Sequence, residues 1–395
     1  MTPMDASPPP TIDLDRLGFD RGGHLLVDRE LRRLAPGDAV RVVGSDPHLR
    51  LHLSAWGRAE GHQVDGDVVT KGHASTDRWR ASVRAGAPNA PAAVADQTWG
   101  LAARGALVEA GGPALTVADL SERNEVWADI APKLYAQAAA NQWDPNTAID
   151  WNAADTLPGE VEDAVVQVMT YLIENEQAAL AVPARHLVRI HPQYREVVAF
   201  LATQIADEAR HVEVFTRRAL LHRDTLGSST VGGRASLQTL VDEPDFSLAS
   251  FLLTVLGEGT FLDLLSFLER HAPDPVTRRV AQLTRQDEAR HVAFGQAHLE
   301  HRVEVDPALR GRLRLAIERR HESLRSSAGL NADVHDALVL LAAGGFSIDA
   351  IADGWDRVQD LQAAMHEGRQ RRLVRLGFSA HDAAELSALH TRNFM

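Results

Sequence analysis

The chain has no cysteine. That excludes disulfides, iron–sulfur clusters, thiolate–zinc sites, cysteine nucleophiles and persulfide carriers. Any metal must therefore sit on nitrogen and oxygen, which means His, Asp and Glu. Positive charge is also short: 41 Lys and Arg against 54 Asp and Glu give a formal charge of −13, which disfavours nucleic acid or an anionic membrane as a partner. The basic cluster Arg369, Arg371, Arg372 and Arg375 lies in a helical stretch and reads as a solvated helix face. Long apolar runs are missing as well. The best, Ala337–Ala352, is interrupted by Gly344, Gly345 and Asp349 and is too short for a bilayer. No basic segment followed by an apolar stretch opens the chain, so a cytoplasmic location is expected.

What is present falls into segments. Residues 1–10 are Pro-rich and expected to be disordered. Residues 11–84 have a mixed α/β texture, with strand candidates at Ala39–Val43, Asp67–Val69 and Trp79–Val83 and a helical stretch from Asp46 to about Gly61. A stretch rich in Ala, Gly and Pro, 85–119, reads as a linker. From 120 to 395 the pattern is helical, with candidate helices near 120–140, 160–190, 194–222, 247–271, 276–303, 307–327, 332–343, 346–375 and 380–391. The Gly/Ser-rich stretch Gly227–Pro244 is long enough to cross over a bundle. The fold class is thus mainly α: a four-helix bundle with extra C-terminal helices, preceded by a small α/β domain.

Residues 11–84 resemble the TusA/SirA-like sulfur-carrier fold through Leu14-Asp15-Arg16-Leu17-Gly18, Leu34-Ala35-Pro36-Gly37-Asp38, Ser45-Asp46-Pro47 and Trp56 leading to Gly61-His62. That family carries sulfur on a Cys-Pro pair, where this chain has Arg21-Gly22. The resemblance therefore implies a scaffold or docking domain without sulfur transfer.

The pentapeptide Asp-Glu-Ala-Arg-His occurs twice, at 207–211 and 287–291. Each copy holds Glu-x-x-His, Glu208 with His211 and Glu288 with His291; the i, i+3 spacing puts carboxylate and imidazole on one helix face, able to grip one ion. Leu201, Ile205, Val212 and Phe215 mark an apolar stripe beside the first, and Val280, Val292 and Leu299 beside the second. A bundle site needs one further carboxylate from each partner helix. Residues equidistant from an antiparallel turn lie level, so reflecting Glu288 through Pro273 selects Glu258, the lone acid in Leu252–Leu262. Reflecting Glu208 through Pro192 selects Glu176; Glu174 is its rival, but Glu176 shares its face with Val165, Met169, Leu172, Ala179 and Pro183. Four glutamates and two histidines without sulfur suit iron or manganese, and four carboxylate charges balance two divalent ions.

These paired motifs resemble those of the ferritin-like diiron superfamily, especially bacterial multicomponent monooxygenases and ligand-binding oxidases related to the ribonucleotide reductase small subunit. The resemblance spans about residues 160–300. It implies two Fe ions (or Mn/Fe), with O₂ as co-substrate: Glu176, Glu208 and His211 on one, Glu258, Glu288 and His291 on the other, with glutamates bridging. It further implies that Asp207 and Asp287 accept a hydrogen bond from the non-ligating nitrogen of a histidine across the bundle, and that Arg210 and Arg290 pair with those aspartates. The expected activity is oxidation of a small organic substrate, by hydroxylation or N-oxygenation, with electrons from a ferredoxin or flavoprotein reductase, because no flavin, nicotinamide or iron–sulfur motif is visible. A homodimer is a possible assembly. The rivals are a ferroxidase or metal-storage protein and a radical generator. The second would need a tyrosine one turn after the first histidine, where this chain has Phe215; Gly295 holds the equivalent place in the second repeat and is expected to leave space for a substrate. Trp79, Trp99 and Trp355 read as core fillers.

Overall fold

The computed structural model describes residues 8–74, 78–153, 156–325 and 332–390. Most of the Pro-rich opening segment, residues 1–7, lies outside the described residues. The chain divides into two compact units, Met1–Pro88 with Thr98–Ala114, and Asn89–Gln97 with Leu115–Met395.

The first unit runs β1 (Thr11–Asp13), α1 (Gly23–Leu31), β2 (Ala39–Val43), α2 (Leu49–Ala59), β3 (Gln63–Asp65) and β4 (Val68–Thr70). The sheet order is β1-β2-β4-β3; β1 is parallel to β2, and the other pairs are antiparallel. Strand β2 alternates as a half-covered strand must: Val40 and Val42 are buried and Arg41 is exposed. Those valines pack with Leu14, Val27, Leu31 and Leu53 into a small core. Arg21-Gly22 ends a one-turn 3-10 helix, Phe19–Arg21, and Gly22 takes the left-handed conformation (φ 97°) that leads directly into α1. The third strand candidate is displaced: Trp79 lies in a turn and is 40% exposed, while β5 (Val83–Arg84) pairs with β6 (Leu107–Val108) across the Ala/Gly/Pro-rich stretch.

The second unit is helical. Two short helices, α3 (Arg123–Val126) and α4 (Ala131–Ala140), replace one continuous helix at 120–140, because Trp127 is extended and Pro132 suits only a new first turn. After α5 (Pro145–Ala148) come α6 (Gly159–Leu187) and α7 (Arg195–Ala219), an antiparallel hairpin turned at Pro192–Tyr194. The crossover contains a helix of its own, α8 (Val231–Val241), which Thr230 caps by accepting from Gly233 N. The expected helix at 247–271 is three pieces: α9 (Phe246–Ser250), a π-helical segment (Phe251–Glu258) and α10 (Gly259–His271). This stretch, Phe246–His271, is long and apolar enough by composition to span a bilayer, in contrast to the expectation from Ala337–Ala352, but most of it is buried as a core helix. Helix α11 (Pro275–Val305) starts on Asp274, which accepts from Thr277 N, with Pro275 at the first helical position.

Helices α6, α7, α9–α10 and α11 form the bundle. Outside it, α12 (Leu309–Arg325), α13 (Ala332–Ala343), α14 (Ile348–Arg375) and α15 (Ala380–His390) extend the same apolar core. The basic cluster on α14 is not wholly solvated: Arg369 is 1% exposed and donates to Thr260 Oγ1. Trp355 is half exposed against His335, so neither it nor Trp79 fills a core.

One buried tie closes the end of the bundle away from the Pro192 turn. Arg218 donates to both oxygens of Glu162, to Asp274 Oδ2 at 2.8 Å and to Thr277 Oγ1 at 2.7 Å, joining α6, α7 and the start of α11. Removing the guanidinium would leave two buried carboxylates without their cation. Arg218→Ala is expected to lose about 3–5 kcal/mol of stability, read as a lower midpoint in urea unfolding; an unchanged midpoint would show the tie to be dispensable.

Candidate metal centre

Four helical segments bring the six expected residues together. Glu176 comes from α6, Glu208 and His211 from α7, Glu258 from the last position of the π segment, and Glu288 and His291 from α11. All six are at most 4% exposed. Their ligand-type atoms form two overlapping groups, Glu176–Glu208–His211–Glu288 and Glu208–Glu258–Glu288–His291, within which all atoms lie within 4.8 Å of one another. Glu208 and Glu288 belong to both groups and so lie between them. Glu174 is only half-buried and belongs to neither.

The distances follow the same plan. His211 Nδ1 lies 3.5 Å from Glu176, 3.1 Å from Glu208 and 3.2 Å from Glu288; His291 Nδ1 lies 3.1 Å from Glu208 and 3.3 Å from Glu288. The far ring nitrogens face aspartates across the bundle: His211 Nε2 is 3.2 Å from Asp287, and His291 Nε2 is 3.3 Å from Asp207. An ionised aspartate only accepts, so each Nε2 carries the hydrogen and each Nδ1 can offer its lone pair to a metal.

Burial with unpaired oxygens makes the cluster a metal site in chemistry as well as in spacing. Glu176 Oε1 and Glu258 Oε2 are buried without a hydrogen-bond partner, and Glu208 Oε1 and Glu288 Oε1 meet only a histidine Nδ1, at 3.1 Å and 3.2 Å. Four buried carboxylates so poorly paired in one place are costly unless a cation occupies it. The set is N and O only, which fits iron or manganese. Without metal, burial and then the neighbouring Glu208 and Glu288 push Glu176 well above the usual carboxylate range; burial and then Glu288 do the same to Glu258. Burial acts on Glu208 too, but His291 and His211 outweigh it and hold that carboxyl low. Burial opposes charge on both histidines, yet Glu176 and Asp287 raise His211, and Glu208 and Glu288 raise His291, well above the usual imidazole value.

Asp207, Asp287, Arg210 and Arg290 form a closed ring: each arginine donates to both aspartates. Two residues that the motifs do not reveal complete it. Gln142 donates to Asp207 at 3.1 Å, Trp143 Nε1 donates to Asp287 at 2.8 Å, and Arg210 stacks 4.7 Å from the Trp143 ring centroid. They come from the loop after α4, and nothing in local spacing announces them. A third missed residue was legible: Gln204 stands one turn before Glu208, on the same face, and donates to Glu258 Oε1 at 3.0 Å.

The π segment sets Glu258. Its wider turns leave Val255 O to accept from Arg372 Nε of α14 at 2.7 Å, and a Cβ at Gly259 would lie 2.5 Å from that Nε. Gly295 proves to have another purpose than the expected space: a Cβ there would lie 1.7 Å from Thr254 Oγ1, so the glycine lets the π segment approach α11. Thr260 is committed elsewhere, donating to Leu256 O and accepting from Arg369. Beside the cluster, a small gap of about 10 Å³ is lined by Glu176, Glu258, Glu288, Asn175, Leu253 and Phe261, among others.

Residues 160–320 match the family model of the P-aminobenzoate N-oxygenase AurF. The matched span begins with α6 and ends within α12, and it includes all six clustered residues. No curated protein matches the chain. Among solved structures, the chain is similar to variants of an R2-like ligand-binding oxidase. One with an aerobically reconstituted Mn/Fe cofactor is 19% identical, covering 60% of this chain and 92% of that one, with a TM-score of 0.42. Another, anaerobically reconstituted with Mn/Fe, is 16% identical over 62% and 92%, with a TM-score of 0.43. The family match and the buried carboxylate–histidine cluster together mark an oxygen-dependent diiron oxygenase or oxidase.

Proposed function

We propose that this chain is a diiron N-oxygenase of a small organic amine, with Glu176, Glu208, His211, Glu258, Glu288 and His291 as its metal ligands. The observation that carries the reading is the convergence of four buried carboxylates and two Nδ1 atoms inside a segment similar to an N-oxygenase family. The net change would be R–NH₂ + O₂ + 2 e⁻ + 2 H⁺ → R–NHOH + H₂O, with the electrons from a ferredoxin or flavoprotein reductase. An ion pair held there, Fe/Fe or Mn/Fe, would supply the reductive activation of O₂.

The protein's own residues have definite tasks. Glu208 and Glu288, shared by both groups, would hold both ions, while Glu176 with His211 and Glu258 with His291 would complete one position each. Asp287 and Asp207 fix the tautomer and tilt of the two imidazoles, and the arginine ring keeps both aspartates ionised. Leu253, Phe261 and Ala179 line the adjoining gap with apolar surface and keep bulk water from the cluster.

The radical reading is disfavoured by the tyrosines. Phe215 is buried 6.4 Å, ring to ring, from His211 and has no phenol to oxidise. Tyr135 is 42% exposed, and Tyr194 donates to Ser121 O at 2.6 Å. Tyr171 is buried, its ring 6.1 Å from that of Phe261. With reduced metal and O₂, the expected results are amine-dependent O₂ uptake yielding a hydroxylamine and no persistent tyrosyl signal in electron paramagnetic resonance. A stable tyrosyl signal that disappears in Tyr171→Phe would replace this reading with the radical one.

For the first unit we propose a scaffold or docking role on a sulfur-carrier-like βαβαββ frame. Arg21-Gly22 stands at the entry to α1, and the chain offers no thiol. Persulfide donors are expected to transfer no sulfur to the protein, which mass spectrometry would check; a stable sulfur adduct would contradict this role.

A further inference from the structure

The two helices that carry the Asp-Glu-Ala-Arg-His repeats agree through the pentapeptide and differ one turn before it. Gln204 stands four residues before Glu208; the same place before Glu288 is Thr284. Residues four apart share a helix face, so both side chains lie on the face that bears the ligands. Both are buried, Gln204 at 1% and Thr284 at 0% exposed. Their reach differs. Gln204 Nε2 donates across the bundle to Glu258 Oε1 at 3.0 Å. The shorter Thr284 makes no such link, and its Oγ1 has no hydrogen-bond partner.

The consequence falls on the two outer glutamates, Glu176 and Glu258, each of which belongs to one group of the cluster only. Glu258 has one oxygen engaged by the amide and the other, Oε2, without a partner. Glu176 receives no hydrogen bond from an amide, hydroxyl or guanidinium among the described residues. Its Oε1 is unpartnered, and its Oε2 meets only His211 Nδ1, at 3.5 Å. A carboxylate serving as a metal ligand only accepts, so the amide nitrogen is the atom turned to Glu258. The amide oxygen then faces a gap of about 10 Å³, room for one water. A hydrogen bond of this kind fixes the plane of a ligating carboxylate and occupies one of its oxygens. Glu258 is thereby held with one oxygen free, whereas nothing prevents Glu176 from turning both towards an ion.

Resting on the ligand assignment above, we propose that Gln204 is a positioning residue that makes the two metal positions unequal: it holds Glu258 as a one-oxygen donor and keeps the Glu258–His291 position more open than the Glu176–His211 position. Glu208 and Glu288 are shared by both groups and each position has one histidine, so the outer glutamates are where the two positions differ. The more open position is the one with a coordination place left for an external ligand. The asymmetry is written into the chain by one difference between otherwise matching repeats, Gln204 against Thr284.

Cobalt(II) in place of the native ions tests this without relying on turnover, because its visible bands strengthen as the number of donors falls. The full chain loaded with cobalt at both positions is expected to show two distinct sets of bands, one stronger than the other. In Gln204→Met, which keeps the length of the side chain and removes the donor, the stronger set is expected to lose most of its excess intensity. A glutamine that only fills space would change stability and leave the ratio of the two sets as it was. Distinct bands that persist unchanged in the variant would therefore overturn the proposal. Two equal sets in the native protein would overturn it whether or not the variant folds. A native chain that takes up no cobalt would instead bring down the ligand assignment on which the proposal rests.

Discussion

Glu258→Ala and His291→Ala are each expected to lose metal and activity together. The cluster has six donors for two ions, and these two residues belong to only one of the overlapping groups, so no neighbour is placed to substitute for them. Removing Glu258 also takes away the charge that balances the cations and leaves Gln204 Nε2 without its acceptor. Removing His291 strands Asp207 opposite Arg290 with no imidazole to orient. The loss should exceed the roughly 10–100-fold fall in metal affinity that follows when a group supporting a ligand is changed; Asp287→Asn is expected within that smaller range. Elemental analysis of the purified variants is the check, and full two-metal occupancy in both alanine variants would sink the ligand assignment.

Metal loading is expected to release several protons and to tighten steeply as pH rises. In the metal-free protein the pKa values of Glu176, Glu258, His211 and His291 are all raised, so each of these four groups keeps its proton to higher pH than it would in water. An ion must displace those protons before it can use the atoms that carry them. The same shifts set the stability of the metal-free fold. A group whose folded pKa is raised stabilises the fold fully below its unfolded value, about 4.3 for Glu and about 6.5 for His, and that contribution is lost as pH climbs through the folded value. Glu208 and Asp287 are shifted down, and their contribution is already complete above the ordinary carboxylate range. Within the cluster the raised groups lose their stabilising contribution as pH rises, so the metal-free protein should become less stable while metal affinity increases. Calorimetry in buffers of different ionisation enthalpy would count the protons, and urea midpoints would follow the stability. A metal-free midpoint that rises from pH 6 to 8, with no proton release on loading, would contradict the protonation pattern.

The six clustered residues were legible in the chain because helical geometry makes them so. Glu-x-x-His places two donors on one face at fixed spacing, and an antiparallel turn makes residues at equal distance level. Glu258 and Glu176 could therefore be found by reflection through Pro273 and Pro192. The absence of cysteine limited the donors to nitrogen and oxygen by itself. The repeat also carried Asp207, Asp287, Arg210 and Arg290, whose partners across the bundle follow from its twofold pattern.

Other features were decided only when the helices packed. The π segment Phe251–Glu258 has the same apolar composition as an α-helix, and its wider turns are held by Arg372 from a helix more than a hundred residues later. Gly295 looked like empty space, but its missing side chain is filled by Thr254 of that segment. Gln142 and Trp143 reach the aspartates from a loop outside the bundle. Arg369 looked solvated until α15 and Thr260 enclosed it. Periodicity reports which face of a helix is apolar and which donors share it; which distant side chain fills a gap or meets a freed carbonyl depends on contacts between elements, and no local spacing encodes those.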